Sequence, residues 1–468
     1  PAALPYHLDV QDPNTHASAR PSPSARALSA LAAVERHEAP AVVAAFFLFF
    51  CVFAGYFAVR PVRETVGTLL GRDRVADLWI ATWAASLAIV PVYGLAVARL
   101  RRSVFLPWTY GLVAAALALV AASLGAGQVN IAAGQFFYVF ISVLNLFLVS
   151  VFWSFLLELF DSGQAKRLFP VIAAGGTAGA LAGPVFTDLT VATIGNAGIL
   201  LAGAALFGAA VACQRLLIAL WRSGRGPRAG ETAEAAEARD RPIGGNPLAG
   251  FTIVLRSPYL LGLALFITLL STANTLLYFE QLRLVDLTFA DPETRTRVFA
   301  RLDWIVQGLT ILSQLFLTGR IAVAFGVTAL LTIVPLAMIA GFTALAAWNS
   351  FAVLAVVIVA RRFGEYAFVR PGREMLWSPL DQETKYKAKN LLDVPVYRGS
   401  DALVAQLQRA VENAGTSPQA IALAGAAAAA VWAVNGLWLG RRHEEATATA
   451  PASEMAPATS PRPVGARS

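Results

Sequence analysis

Lysine is nearly missing from this chain: of 37 basic residues only Lys166, Lys385, Lys387 and Lys389 are lysine, and they lie in two short segments. Charge of either sign is scarce too. Charged residues are 14% of the 468 and hydrophobic ones 57%, where a soluble domain carries roughly 25% charged. That balance excludes an ordinary soluble domain and leaves an all-α polytopic membrane protein. The two cysteines, Cys51 and Cys213, sit inside apolar runs, which excludes a disulfide framework and reads as small buried side chains. No His/Cys ligand cluster, nucleophile elbow or catalytic carboxylate pair occurs, so we expect no enzyme, no cofactor and no metal. The glycine-rich stretch Ala174 to Pro184 lacks the G-K-[ST] of a phosphate loop. Its Gly175, Gly179 and Gly183 recur every four residues, the small-xxx-small pattern of close membrane-helix packing. No secretory signal is visible in the polar, Pro/Ser/Ala-rich residues 1–39, and the first apolar run is expected to act as an uncleaved insertion signal.

Apolar segments of spanning length are read at 41–60, 77–98, 104–124, 131–158, 168–188 and 194–219, then at 258–280, 302–319, 325–347, 350–378, 390–411 and 417–440. This predicts twelve transmembrane helices in two six-helix halves, the major facilitator architecture, with nested inverted repeats. The expected organisation is an N-terminal segment (1–39), a first half (40–220), a solvated linker (221–256), a second half (257–440) and a disordered tail (441–468). The net charge of +8 sits in short loops, where the positive-inside rule puts it. It therefore marks topology, with both termini and the linker cytoplasmic, and not nucleic-acid binding.

One pattern occurs twice at the end of an apolar run. Tyr56-Phe57-Ala58-Val59-Arg60-Pro61-Val62-Arg63-Glu64 and Tyr366-Ala367-Phe368-Val369-Arg370-Pro371-Gly372-Arg373-Glu374 agree at six of nine positions. Each such charge is disfavoured by roughly 2.5 to 3.5 kcal/mol at a helix centre. The spacing predicts a helix kinked or broken at Pro61 and i,i+4 pairs Arg60–Glu64, Arg370–Glu374 and Arg361–Glu365, leaving Arg63 and Arg373 less compensated. Arg362, Tyr366, Arg370, Arg373 and Trp377 fall on one face of a regular helix. The two motifs are expected to face each other across a polar cavity, where guanidinium forks suit phosphate and carboxylate groups and aromatic rings can stack a base or sugar. Candidate binding residues are Tyr56, Arg60, Arg63, Arg362, Tyr366, Arg370 and Arg373. Candidate coupling or gating residues are Glu64, Glu158, Glu280, Glu365, Glu374, Lys166 and Lys389.

Four strings together carry a resemblance. R-P-V-R-E at Arg60, F-W-S-F at Phe152 followed by Q-A-K-R-L-F at Gln164, A-A-G-G-T-A-G-A-L-A-G-P at Ala173, and R-P-G-R-E-M at Arg370 with K-Y-K-A-K-N-x-x-D-x-x-x-Y-R-G-x-D from Lys385 to Asp401 resemble the ATP/ADP translocase family. That family comprises nucleotide antiporters of plastids and intracellular bacteria, with relatives in free-living bacteria. The resemblance implies that the transport-critical basic positions of spans one and ten fall on Arg63 and Arg373, and a span-seven acidic position on Glu280. The chain departs from the characterised exchangers in having arginine where they use lysine, and Arg370 where they are acidic.

The reading is an alternating-access antiporter, in a bacterial inner membrane, of nucleotides or another phosphate-bearing organic anion, acting as a monomer with a small anionic solute and the bilayer as its partners. The alternatives are a proton-coupled facilitator for a different solute, with Glu158 or Glu280 titrating, and a non-transporting membrane scaffold.

Overall fold

The computed structural model describes residues 34–35, 37–99, 102–125, 130–160, 162–223 and 249–449. The N-terminal segment through residue 33, the linker 224–248, the tail from 450, Asp161, and the side chains of Glu158, Lys166 and Lys387 lie outside the described residues.

Among the described residues the ordered elements are helices. Five precede the linker: α1 (Ala39–Leu70), α2 (Arg72–Arg99), α3 (Arg102–Gly125), α4 (Ile131–Leu159) and α5 (Ser162–Ser223). Nine come after it: α6 (Ala249–Arg256), α7 (Pro258–Thr288), α8 (Pro292–Phe316), α9 (Thr318–Ala347), α10 (Phe351–Gly364), α11 (Arg370–Met375), α12 (Gln382–Leu391), α13 (Tyr397–Asn413) and α14 (Pro418–Thr449). Two π-helical turns, Glu365–Val369 and Leu392–Val396, join α10 to α11 and α12 to α13. Polar caps set the helix starts: Asn130 Oδ1 accepts from the Ala132 and Ala133 amides, and Asp291 followed by Pro292 opens α8.

Seven of the described helices are long and apolar enough to cross a membrane. Two expected segments, 168–188 and 194–219, form one 62-residue run that turns at Gly195 (φ 67, ψ 176). Only glycine adopts that backbone without strain. The first segment is longer than its apolar run suggests: α1 continues through Pro61 to Leu70, so that of the kink or break expected there a break does not occur. Pro61 has no N–H for the Phe57 carbonyl one turn back, and Thr65 Oγ1 donates to the carbonyl of Pro61 itself at 3.2 Å.

The chain builds two hydrophobic cores. The first joins α1 to α5 around Leu48, Phe137, Phe152 and Phe207, with Phe49 stacked on Phe152 at 3.9 Å. The second joins the helices after the linker around Leu263, Phe266, Leu330 and Trp432. In the first, the glycine stripe of α5 lies directly on the backbone of α1. A Cβ at Gly183 would stand 2.6 Å from the Ala54 carbonyl oxygen and 2.8 Å from the Ala58 nitrogen, and Thr187 Oγ1 donates to the Ala58 carbonyl at 2.9 Å. This is the backbone-to-backbone approach that small residues permit.

Spans joined by a turn run in opposite directions, as α8 does against α1 with Thr296 beside Thr65 and Asp303 beside Arg60, while α10 continues into α11 and α12 into α13 through the π turns; this gives the bundle a linker end and a far end. Polar contacts between the two cores gather toward the far end. Thr65 and Thr296 hydroxyls are 2.6 Å apart, and Thr296 donates to Asn196. Arg301 pairs with Asp188 at 3.1 Å, Arg72 with Glu412 at 2.8 Å and Arg409 with Asp77 at 2.7 Å.

Candidate functional site

Between the two cores lies a cavity of about 590 Å³. Its charged lining is seven arginines (60, 63, 361, 362, 370, 373, 398) and six carboxylates (Glu64, Asp303, Glu365, Glu374, Asp393, Asp401). All seven candidate binding residues line it, as do Glu64, Glu365 and Glu374. Lining residues also come from α2, α8 and α13, including Trp79, Phe299 and Tyr397.

The two motifs are not level with each other. In α1 the motif stands toward the far end. Along α10 and α11 it stands at the linker end, because the two segments run in opposite directions. At about 1.5 Å per residue, Arg63 and Arg373 differ in depth by roughly 20 Å. The cavity therefore has arginines at successive levels, where a facing pair was expected.

At the deep level the pairing differs from the i,i+4 expectation. Arg63 takes Glu64, its own neighbour, at 2.6 Å and donates to Ser142 Oγ at 2.9 Å. Arg60 is 3.9 Å from Glu64 and 3.6 Å from Asp303, too far for a hydrogen bond with either. Glu64 also accepts from Tyr278 across the two cores at 2.8 Å. With that hydroxyl proton committed, Tyr138 donates to Tyr278 at 2.6 Å and Trp79 Nε1 donates to Tyr138 at 2.9 Å. Three donors in series thus point one way, into a buried carboxylate that Arg63 also binds. The Arg63 guanidinium stacks 5.0 Å from the Tyr138 ring centre.

The middle level is held by α10. Arg361 pairs with Glu365 at 2.9 Å, as the spacing predicted. Arg362 reaches Asp303 of α8 at 2.6 Å. Asp303 was missed in the sequence because it stands at the edge of the apolar segment 302–319; the Asp291-Pro292 helix start, read as such, would have put it in mid-helix.

At the linker end the expected Arg370–Glu374 pair does not form. Arg370 turns back to Glu365 at 3.5 Å and lies over the Tyr366 ring at 4.4 Å, while Glu374 is 2.5 Å from Lys389. Arg373 is 3.4 Å from Asp393. Trp377, placed by regular-helix spacing on the arginine face, is buried in the second core. α11 ends at Met375, so the regular-helix spacing that put Trp377 with the arginines does not extend to it. Arg370 is the most exposed guanidinium of those paired here, at 57%.

Two donors stand out. The Nε–H groups of Arg63 and Arg373 are both buried without a hydrogen-bond partner, and they occupy the same position of the repeated motif. Buried polar atoms are rarely left so.

Glu280 departs from its expected place. It lies outside the cavity, against a smaller pocket of about 200 Å³, where it binds Arg283 at 2.5 Å and accepts from Asn349 at 2.6 Å. In its stead the cavity holds Asp401, buried, 2.6 Å from its donor Ser271 Oγ and 3.8 Å from Arg398. Asp393, Arg398 and Asp401 were visible in the sequence as charges interrupting an apolar segment, itself a sign of an intramembrane site.

No family model matches the chain. Over 288 residues it is 26% identical to ADP,ATP carrier protein 1 of Chlamydia muridarum and 25% identical to that of Chlamydia trachomatis, covering 54% of this chain and 54% of each carrier. The match thus spans about half the length of these curated relatives. Among solved structures, the nucleoside transporter NupG superposes with a TM-score of 0.59 at 15% identity, covering 86% of this chain and 99% of that one. A bacterial homologue of the iron transporter ferroportin, in an inward-facing state, gives 0.61 at 13% identity, covering 86% and 98%. The chain has the major facilitator fold, and its sequence is similar to ADP,ATP carriers, as the motifs implied.

Proposed function

We propose that the protein is an alternating-access transporter that exchanges nucleotides or other phosphate-bearing organic anions across the membrane. The observation that carries this reading is the ladder of guanidinium groups in one cavity, two of which keep a buried N–H without a partner. Guanidinium forks bind phosphate oxygens bidentately, and arginines at successive depths suit an elongated polyanion. Tyr56, Phe57, Tyr366 and Tyr397 line the same space and offer faces for a base or sugar. The cavity volume falls within the range of about 300 to 1,000 Å³ typical of small-molecule sites. Similarity to ADP,ATP carriers supports nucleotides within the anion class.

The far-end contacts between the cores, with the cavity reaching Glu374 and Asp393 toward the linker end, support a state closed at the far end. With the linker cytoplasmic, as loop charge indicates, that state faces inward. Twelve spans, organised as residues 40–220 and 257–440, a bacterial inner-membrane location and action as a monomer complete the reading.

The test is thermal stabilisation of the purified protein by a panel of ATP, ADP, other nucleotides, phosphate, sugar phosphates and dicarboxylates, followed by counter-flow in liposomes. A shift with nucleotides that Arg63→Ala and Arg373→Ala both remove supports nucleotide exchange. A shift with another anion keeps the cavity and changes the substrate. No shift with any anion, from folded protein, overturns the reading.

One observation favours a second reading, a proton-coupled facilitator. Asp401 is a buried cavity carboxylate with a single close donor and a distant arginine. Uptake driven by a pH gradient without counter-substrate, abolished by Asp401→Asn, would select it.

A further inference from the structure

Asp303 has the geometry of a ligand more than that of a strut. Its side chain is 5% exposed on α8, and a single oxygen, Oδ1, faces two guanidiniums from two other helices: Arg362 Nη1 of α10 at 2.6 Å and Arg60 Nη1 of α1 at 3.6 Å. Its other oxygen, Oδ2, is buried with no hydrogen-bond partner. A carboxylate that only braces helices gains most by giving both oxygens to one guanidinium fork. This one leaves an oxygen unsatisfied, which is unfavourable for a buried acceptor. Arg60, for its part, lies between Asp303 and Glu64 and hydrogen-bonds neither. Two cations therefore converge on one oxygen position, one of them held by charge alone.

We propose that Asp303 is a built-in surrogate for the anionic group of the substrate. It occupies the Arg60–Arg362 clamp when the cavity is empty, and a phosphoryl or carboxylate group of the solute takes its place on binding. The inference rests on the anion reading above and deepens it by naming the clamp and its competitor. A phosphoryl group offers more than one oxygen to the clamp, so it can hydrogen-bond Arg60 and Arg362 together, which Asp303 does not. The surrogate has two consequences. It keeps the two buried guanidiniums compensated while no solute is bound, since an uncompensated buried charge is strongly unfavourable. It also opposes binding, and so speeds release of the anion after each crossing.

The experiment is calorimetric titration of wild-type and Asp303→Asn protein with ADP, pyrophosphate and inorganic phosphate, with exchange rates measured in liposomes. Asparagine keeps the shape and removes the competing charge. The expected result is binding tighter by about tenfold or more, since each factor of ten corresponds to about 1.4 kcal/mol, within the range of one charge-assisted hydrogen bond, together with slower exchange. If Asp303→Asn is monodisperse only when purified with pyrophosphate, the anion is replacing the carboxylate and the proposal stands. Binding that is equal or weaker than wild type, or protein that misfolds with or without anion, overturns it and leaves Asp303 a brace. If wild type binds none of the probes and Asp303→Asn does, the surrogate stands; if neither binds, the anion reading fails with it.

Discussion

R-P-V-R-E in α1 and R-P-G-R-E at the head of α11 share four of five residues and fold differently. The first runs through a continuous α-helix, pairs with its own glutamate, and is buried: Glu64 is 7% exposed. The second comes after a π turn, sends each charge to a residue outside the motif, and leaves Glu374 53% exposed. The difference comes from what each helix leans on. α1 lies backbone to backbone on the glycine stripe of α5, and that clamp holds a regular helix through Pro61. The stretch around Arg370 packs on side chains such as Leu330 and Leu331, which leave room for a wider turn. Composition thus selects which charges enter the membrane, and packing selects their partners. The copy in α1 belongs to a fixed wall, the copy in α11 to an adaptable one.

The comparison can be broken most severely at the wall. Gly183→Val drives a branched side chain into the α1 backbone, and overpacking of this kind is unfavourable by about 3 kcal/mol or more. We expect loss of the monodisperse peak in size-exclusion chromatography; a normal peak would show that α1 is not clamped. Next come the paired glutamates. Glu64→Gln strips a buried arginine of its partner, with an expected loss of about 3 to 5 kcal/mol. Glu374→Gln removes a half-exposed pair, with an expected loss below about 1 kcal/mol. Thermal unfolding of the two variants in one detergent should rank them in that order, and equal shifts would erase the distinction between wall types.

A gentler probe is Gly372→Ala. Its Cβ would meet Leu330 Cβ at 3.0 Å and Leu331 Cδ2 at 3.2 Å; the Leu331 methyl can turn aside, and the Leu330 contact asks for a small shift of the helix. The expected loss is about 1 kcal/mol, read as a melting temperature lowered by a few degrees.

The smallest effect is pH-dependent and sits at the start of the fixed wall. Burial works to raise the Glu38 carboxyl, but Gln164 at 2.8 Å, the Glu35 amide and Arg167 at 3.0 Å outweigh it and hold the group below the usual glutamate range. A carboxylate depressed in the folded state stabilises above its unfolded pKa and loses that contribution as pH falls through the folded one. Glu38→Gln should therefore melt earlier than wild type at neutral pH, and the gap should close in acid. A gap that stays constant with pH would show that the charge contributes nothing.

Much of this was legible in the chain. Helices, glycine packing and the arginines of the cavity derive from hydropathy, period-four glycines and the insertion penalty on charge. Partners were not legible, because i,i+4 logic sees one helix at a time, while Asp303, Tyr278 and Asp393 arrive from others. Glu280 illustrates the same limit: its span was correctly read, but the helix face it occupies depends on neighbours far along the chain. Asp303 was hidden by a boundary drawn on hydropathy alone, where the Asp291 cap opens the helix well before the apolar run begins.

The π turns carry a consequence for angular phase. One residue added to a helical turn rotates everything beyond it by roughly a quarter turn, as each residue accounts for about 100°. In a regular helix Arg362 and Arg373 would stand almost in line; after Glu365–Val369 they are out of phase. The chain then reverses through α12 and meets a second phase step at Leu392–Val396, beside Pro395. The stretch from Arg370 to Leu391 is thus bounded by a dislocation on each side, and its arginine and lysine are set in azimuth independently of the helices that carry them.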